Sequence, residues 1–125
     1  MGVSGVLLDS NAIIYLVGRR VSDPLPDGPY FVSAISEIEV MGFPLLSSAD
    51  ESNLRGFLDV VEVVGLSVEI KDLAILLKRQ HRLKTPDAII AATAVHLEID
   101  VVSNDVGLDR VPLLRRIPLK LHPPA

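Results

Sequence analysis

The stretch that most constrains the fold is "TPDAIIAATAVHL", residues 85–97, which is apolar around nearly its whole circumference. It opens like a helix, with Thr85 placed to cap, Pro86 suited to the first helical position and Asp87 in the first turn. A helix without a polar face is buried on most of its surface, so other elements have to pack around it. The helix dipole alone accounts for Asp87, unless other acids meet it there.

Short apolar runs alternate with helical stretches along the rest of the chain. The runs that read as strands, or that contain one, are 5–10, 30–33, 61–70, 99–105 and 115–124. The stretches with helical spacing are 11–18, 34–42, 47–61 and 71–83, and a Pro- and Gly-rich loop covers 19–29. This alternation predicts an α/β fold, a three-layer sandwich with a mostly parallel central sheet flanked by helices.

Length and composition bound the class of protein. With 125 residues the simplest organisation is a single domain, 1–125, large enough to bury a core. The absence of cysteine excludes disulfides, thiolate metal sites and cysteine nucleophiles. No apolar run approaches the ~18 residues of a membrane span, and no signal segment opens the chain, so we expect a cytoplasmic protein.

The charge balance narrows the possible ligands. Sixteen acids stand against twelve bases, a net charge of −4, which excludes a generic basic surface for DNA. Aromatic residues make up only 4% and there is no tryptophan, so base stacking on aromatic platforms is not expected. If the substrate is a polyanion, a metal ion is the obvious source of positive charge.

Four acids fall where a site is expected. Asp9 directly follows "VLL" and Asp105 follows "VVSN", so both come at the carboxyl ends of strands, the edge where open parallel sheets bind ligands. Glu39 comes one helical turn after Ser36, close enough to its helix start to lean toward that edge. Asp87 follows a turn between two helices, and topology alone does not place it there.

Each acid also has a purely structural interpretation. Asp9 can cap the first helix, Ser36 and Glu39 have the spacing of a capping box, and Asp105 can close an Asx-turn. Taken together, however, several carboxylates on one edge repel one another. A divalent cation relieves that repulsion, because carboxylate oxygens are the ligands that Mg²⁺ and Mn²⁺ prefer.

Three stretches carry a resemblance that spans essentially the whole chain. "VLLDSNAIIYL" and "ISEIEVMGFP" resemble the first two acidic motifs of PIN-domain ribonucleases, and "LKTPDAIIAATAVHLEIDVVSND" resembles their VapC-like toxin branch. The resemblance implies that the family's four acids are Asp9, Glu39 (rather than Glu37), Asp87 and Asp105. One departure is Leu108, where the family commonly has an aromatic residue, and Asp109 is the alternative ligand if the correspondence shifts.

The resemblance also implies an activity. PIN-domain ribonucleases hydrolyse RNA phosphodiester bonds with Mg²⁺ or Mn²⁺, leaving a 5′-phosphate and a 3′-hydroxyl. Asp9 and Asp87 are then expected as direct metal ligands, with Asp105 and Glu39 binding a second ion or ordering water. Membership of the toxin branch implies a homodimer that is neutralised by a small cognate antitoxin protein.

Secondary roles are assigned to residues around these acids. We expect Ser103 and Asn11 to orient them, and His96 to make a structural hydrogen bond inside the buried helix. Basic residues either hold the RNA backbone or form a solvated surface; they are Arg19, Arg20, Lys78, Arg79, Arg82 and Lys84. Apolar residues in or next to the first helices either face a partner or pack in the core; they are Ile13, Ile14, Leu16, Val40, Met41 and Phe43.

Two other functions remain open at this point. A phosphatase of the haloacid-dehalogenase type also begins with an aspartate after its first strand, but it places a second aspartate where this chain has Asn11. A catalytically inactive PIN-fold module that binds RNA or protein is the non-enzymatic alternative, and the presence of all four acids argues against it.

Overall fold

A computed structural model describes residues 4–123 of the chain. The strands are β1 (Val6–Leu8), β2 (Tyr30–Ser33), β3 (Glu62–Val64), β4 (Asp100–Val102) and β5 (Arg116–Ile117). The α-helices are α1 (Ser10–Val17), α2 (Ala34–Met41), α3 (Ser48–Leu58), α4 (Val68–His81) and α5 (Thr85–Leu97), and a 3₁₀ helix covers Val106–Arg110.

The strands form one sheet in the order β3-β2-β1-β4-β5, and each pairing between neighbours is parallel. The central strand β1 pairs Leu7 with Phe31 on one side and with Val101 on the other. Because all five strands run the same way, their carboxyl ends share one edge. The predicted α/β class with a parallel central sheet is confirmed.

Side chains alternate between the two faces of the sheet, as the strand period requires. Leu7 packs in a core with residues of α4 and α5, such as Leu77 and Ala91. Leu8 packs on the opposite face with residues of α1, α2 and α3, such as Ile13. Helices therefore cover both faces, which is the three-layer arrangement that the alternation of elements predicts.

Helix α5 is buried as its apolar circumference predicts and covers the predicted residues, Thr85–Leu97, but two residues at its ends have other roles than expected. Lys84, not Thr85, is the N-cap, and its side chain makes no capping hydrogen bond. The expected role of His96 is wrong, because this residue lies exposed in the last turn and its side chain makes no hydrogen bond with any residue from 4 to 123. Thr93 is instead the buried polar residue of the helix, and its hydroxyl donates to the carbonyl of Ile89 at 2.7 Å.

Three local predictions need correction because serine and aspartate caps set the boundaries. Helix α4 begins at Val68 rather than at residue 71, since the Ser67 hydroxyl accepts the backbone N–H of Ile70. Ser33, not Ser36, caps α2, so the capping-box interpretation of Ser36 and Glu39 is wrong. The 3₁₀ helix after β4 was not expected from the sequence.

Within residues 4–123, no helix is both long and apolar enough to cross a membrane.

Candidate metal centre

Four carboxylates line one cavity of about 280 Å³ at the carboxyl edge of the sheet. They belong to Asp9, Glu39, Asp87 and Asp105, the four acids selected from the sequence. The remaining wall is formed by Ser10, Asn11, Ile14, Val40 and Ile90. The fold thus brings together side chains that are up to 96 residues apart in the chain.

Asp9 is positioned by the end of β1 and the start of α1. It is the N-cap of α1, and its Oδ1 accepts the backbone N–H of Ala12 at 2.8 Å. Its side chain is only 7% exposed. The capping role that the sequence allowed is therefore present, and it fixes a carboxylate at the mouth of the cavity.

Asp105 occupies the equivalent place after β4. It is the N-cap of the 3₁₀ helix, and its Oδ1 accepts the backbone N–H of Gly107 at 2.9 Å. The Ser103 hydroxyl in turn accepts the backbone N–H of Asp105 at 2.9 Å. Ser103 is fully buried, and its hydroxyl lowers the pKa of Asp9. This hydroxyl therefore acts on both strand-end acids.

Asp87 reaches the cavity because of the direction of its helix. Only two residues separate the end of α5 from the start of β4, so α5 has to run back along the sheet against the direction of β4. The first turn of α5, which carries Asp87, therefore lies level with the carboxyl end of β4. The turn before α5 does not show where Asp87 lies, but the short connection after α5 does, and this connection is visible in the sequence. The Asp87 side chain accepts no hydrogen bond from residues 4–123.

Glu39 is the more exposed of the two acids of α2, and it is the one that faces the cavity. Its Oε1 accepts a hydrogen bond from the Ser10 hydroxyl at 2.6 Å. Glu37 lies elsewhere, ion-paired with Arg55 at 2.7 Å. This difference agrees with the choice of Glu39 over Glu37 as the candidate ligand.

The acids disturb one another electrostatically. Burial is the main cause that raises the pKa of Asp9, with further increases from Asp105 and Glu39, while hydrogen bonds from Ser103 and from the Ala12 N–H lower it. Burial also raises the pKa of Asp87, followed by repulsion from Asp105, and the charge of Lys84 opposes this. A raised pKa means that the fold disfavours the ionised form of each of these two carboxyl groups.

The donor set fits a hard divalent cation, since it consists of carboxylate oxygens. As the side chains stand, however, no three His, Cys, Asp or Glu residues between positions 4 and 123 are close enough together to hold an ion. Asp9 and Asp105 each have one oxygen engaged by a backbone N–H, and Glu39 is engaged by Ser10. Ion binding therefore requires rotations that draw the carboxylates inward.

The positions of Leu108 and Asp109 show which acid near the end of β4 faces the cavity. Leu108 is 2% exposed and packs in the core beside α5. Asp109 lies outside the cavity and binds Arg116 through both oxygens, at 2.9 and 3.1 Å, which lowers its pKa. Asp105 is thus the acid that faces the cavity.

A second, larger groove of about 540 Å³ adjoins the acidic cavity. It runs between α1, α2 and α3, and its apolar lining residues are Ile14, Val17, Val40, Phe43, Leu46 and Leu54. Ile14 and Phe43 are 47% and 57% exposed, whereas Ile13 and Val40 are buried, so the apolar residues singled out from the sequence divide between surface and core. The groove shares Ile14, Val40 and Glu39 with the cavity. The α3 wall was not found from the sequence.

Comparisons with known proteins agree with this architecture. Residues 6–114 match the PIN domain family. No curated protein matches the sequence. The fold resembles that of a toxin–antitoxin complex from Klebsiella pneumoniae, with 23% identity, a TM-score of 0.73 and coverage of 88% of this chain and 95% of that one.

Two further solved structures are similar. VapBC-1 from nontypeable Haemophilus influenzae is 25% identical with a TM-score of 0.67, covering 92% of this chain and 98% of that chain. DNA-bound VapBC from Salmonella typhimurium is 21% identical with a TM-score of 0.76, covering 93% and 98% respectively. The similarity therefore extends over nearly the whole length of each partner in the comparison.

Proposed function

This chain belongs to the PIN domain family, and on that basis we propose that it is a Mg²⁺- or Mn²⁺-dependent endoribonuclease and the toxin of a toxin–antitoxin pair. The observation that carries the proposal is the convergence of Asp9, Glu39, Asp87 and Asp105 on one cavity at the carboxyl edge of the sheet. No ion pair with Lys or Arg within residues 4–123 neutralises any of these four acids. Such an arrangement is unfavourable without a cation and useful with one.

The residues of the cavity divide the work. A bound divalent cation supplies water of lowered pKa and offsets the charge of the scissile phosphate. Asp9 and Asp87 would hold it directly, and a cation there would offset the cost of ionising these two carboxyl groups, whose pKa values are raised mainly by burial. Asp105 and Glu39 would hold a second ion or orient the attacking water. Attack in line with the 3′-oxygen leaves a 5′-phosphate and a 3′-hydroxyl.

Ser103 and Asn11 support these acids. The Ser103 hydroxyl accepts the Asp105 backbone N–H and lowers the pKa of Asp9, so it acts on both acids that follow the strand ends. Asn11 lines the cavity without a charge, next to Ser10. Their part is to position the acids, because neither contributes a carboxylate.

The toxin role includes an antitoxin partner. The solved structures that resemble this fold include a toxin–antitoxin complex and VapBC assemblies. The groove between α1, α2 and α3 offers exposed apolar side chains, Ile14 and Phe43 among them, next to the acidic cavity. An antitoxin segment with apolar side chains fits this groove, and because the two share Glu39, its occupation obstructs the cavity. The expected homodimer stays a prediction.

Cleavage of single-stranded RNA tests the proposal. The purified protein is expected to cleave it with Mg²⁺ or Mn²⁺ and not in EDTA. Asp9→Asn and Asp87→Asn are each expected to lower the rate by at least ~100-fold, since even groups behind a metal ligand cost up to that much. Asp72→Asn, an equal charge change on the outer surface of α4, serves as the control and should cleave normally.

The same assay separates the alternatives. Full activity in both Asp9→Asn and Asp87→Asn would refute the site. Hydrolysis of a small phosphomonoester, with no cleavage of RNA, would favour the phosphatase alternative. Against that alternative, this chain has Asn11 where such phosphatases have their second aspartate. Loss of neither substrate, with RNA still bound, would favour the inactive binding module.

A further inference from the structure

Five cations gather where α4 ends and α5 begins. This basic cluster consists of Lys78, Arg79, Arg82, Lys84 and Arg110, and none of them is ion-paired with an acid within residues 4–123. Of the twelve Lys and Arg residues of the chain, the five that are paired, at 2.7 to 3.7 Å, lie elsewhere: Arg55, Lys71, Arg115, Arg116 and Lys120. In a protein of net charge −4, this cluster is a local concentration of unneutralised positive charge.

The cluster forms a concave surface. Lys78, Arg79 and Arg82 line a cleft of about 550 Å³ whose other walls are Ile75 and Leu83. The Lys78 ammonium donates to the carbonyl of Leu83 at 3.2 Å, and Arg110 donates to the carbonyl of Arg82 at 3.4 Å. Backbone carbonyls orient these cations without cancelling their charge, so the charge remains available to an anion.

Stability of the fold does not account for the whole cluster. Lys78 and Arg79 lie in the last turn of α4, where cations complement the helix dipole. Arg82, however, adopts the left-handed conformation (φ 54°) of a helix C-terminus, a position that usually has glycine. Lys84 puts a cation at the positive end of α5 and provides no capping hydrogen bond. Both residues are unfavourable choices for the helices that they join.

The basic cluster approaches the acidic cavity at the start of α5. Lys84 is the N-cap of α5, and Asp87 lies in the first turn of the same helix. The charge of Lys84 lowers the pKa of Asp87, opposing the effects that raise it. A chain of phosphates lying along the cluster would therefore end at Lys84, in the same first turn of helix as Asp87.

We propose that the basic cluster binds the phosphodiester backbone of single-stranded RNA and delivers it to the acidic cavity. This rests on the proposed function, because it assigns a binding surface to the same substrate. The cluster contains no aromatic side chain on which bases could stack, so charge alone provides the affinity and no base preference arises there. Counterion release then makes binding strongly dependent on salt.

The test measures how binding of a fluorescent single-stranded RNA depends on KCl, by anisotropy, with EDTA present so that no cleavage occurs. The variant Lys78→Gln/Arg79→Gln/Arg82→Gln is compared with the unmodified protein. Its plot of log affinity against log salt should be less steep by about 2, since each lost phosphate contact on a single strand removes ~0.7. The ratio of the two affinities should be on the order of 100-fold larger at about 0.1 M than at about 1 M salt.

The matched control is Lys71→Gln/Arg115→Gln/Lys120→Gln, which removes the same charge from cations outside the cluster. It should keep the slope of the unmodified protein. Lys84 is left out because its charge also acts on Asp87. A further variant, Arg82→Gly, suits the left-handed backbone and should fold at least as stably, yet lower the slope by ~0.7.

The outcomes separate this inference from the proposed function. Equal slopes for the cluster and control variants, or no RNA binding by the unmodified protein, would overturn the inference. Cleavage of RNA by the unmodified protein with Mn²⁺ reports on the proposed function independently. If cleavage occurs and the slopes are equal, the nuclease stands and the backbone-binding surface lies elsewhere.

Discussion

Asp9 and Asp87 each have a role in the fold and are also the proposed direct metal ligands. Asp9 caps α1 through one oxygen, and Asp87 stands in the favourable first turn of α5, yet burial and the neighbouring acids raise the pKa of each. The identity of these acids was predictable from strand ends and from the resemblance. Their dual role was not decidable, because a cap and a ligand need the same residue at the same place.

At this scale, Asp87→Asn should stabilise the protein in metal-free buffer at neutral pH. Removing one charge relieves repulsion from Asp105, Glu39 and Asp9. Asp87 is partly open to solvent, so screening limits the gain to about 1 kcal/mol or less, a rise in Tm of roughly 3–6 °C at most. Thermal unfolding followed by circular dichroism measures it, with Asp72→Asn as the control for an exposed charge.

The gain in Tm from Asp87→Asn should depend on pH, and the raised pKa of Asp87 fixes the direction. Because the folded-state pKa of Asp87 lies above the ordinary value of 3.8, the unfolded chain loses this proton first as pH rises. The cost of ionised Asp87 is thus absent below about pH 3.8 and complete above its folded pKa. The Tm advantage of Asp87→Asn should therefore shrink as pH falls from 7 toward 4. An advantage that grows on acidification would contradict the assignment.

Among the elements, β1, α2, α5 and β4 place the four acids, and the sequence predicted each of these elements. Alternating apolar runs identified all five strands, because a buried parallel strand leaves few polar residues in its span. The start of α4 and the 3₁₀ helix were missed, since Ser67 and Asp105 act as caps in stretches that also have strand character. The start of α5 at Thr85 was predicted from its own residues, whereas its location at the carboxyl edge of the sheet follows from the short connection to β4.

A pair of glycine substitutions tests the packing of β1. Gly5 precedes this strand with φ +124°, and an added Cβ would lie 2.3 Å from the Pro29 carbonyl oxygen, which accepts the N–H of Val6. Gly5→Ala should cost roughly 2–4 kcal/mol in the free energy of unfolding. Gly56→Ala, inside α3 with nothing within 4 Å, should instead stabilise by about 0.5–1 kcal/mol. Urea unfolding compares the two, and equal effects would show that β1 is not held as described.

Across the whole molecule, charge and apolar surface are separated around one edge of the sheet. The acidic cavity lies between an apolar groove on the side of α1, α2 and α3 and the basic cluster at the end of α4. The sequence predicted the α/β class and the family resemblance, and both are confirmed. The sequence identified the cations and the apolar residues, but it did not locate the apolar groove or the basic cleft. Which residues of α1, α3 and α4 become neighbours depends on tertiary packing.

The most direct test of the central claim is anomalous diffraction from crystals of the protein grown or soaked with Mn²⁺. The account predicts an anomalous peak inside the cavity, at coordination distance (about 2.1 Å) from carboxylate oxygens of Asp9 and Asp87, and no such peak in Asp87→Asn crystals treated identically. A Mn²⁺ ion bound only at other surface acids, or a cavity that stays without one at saturating Mn²⁺, would contradict it.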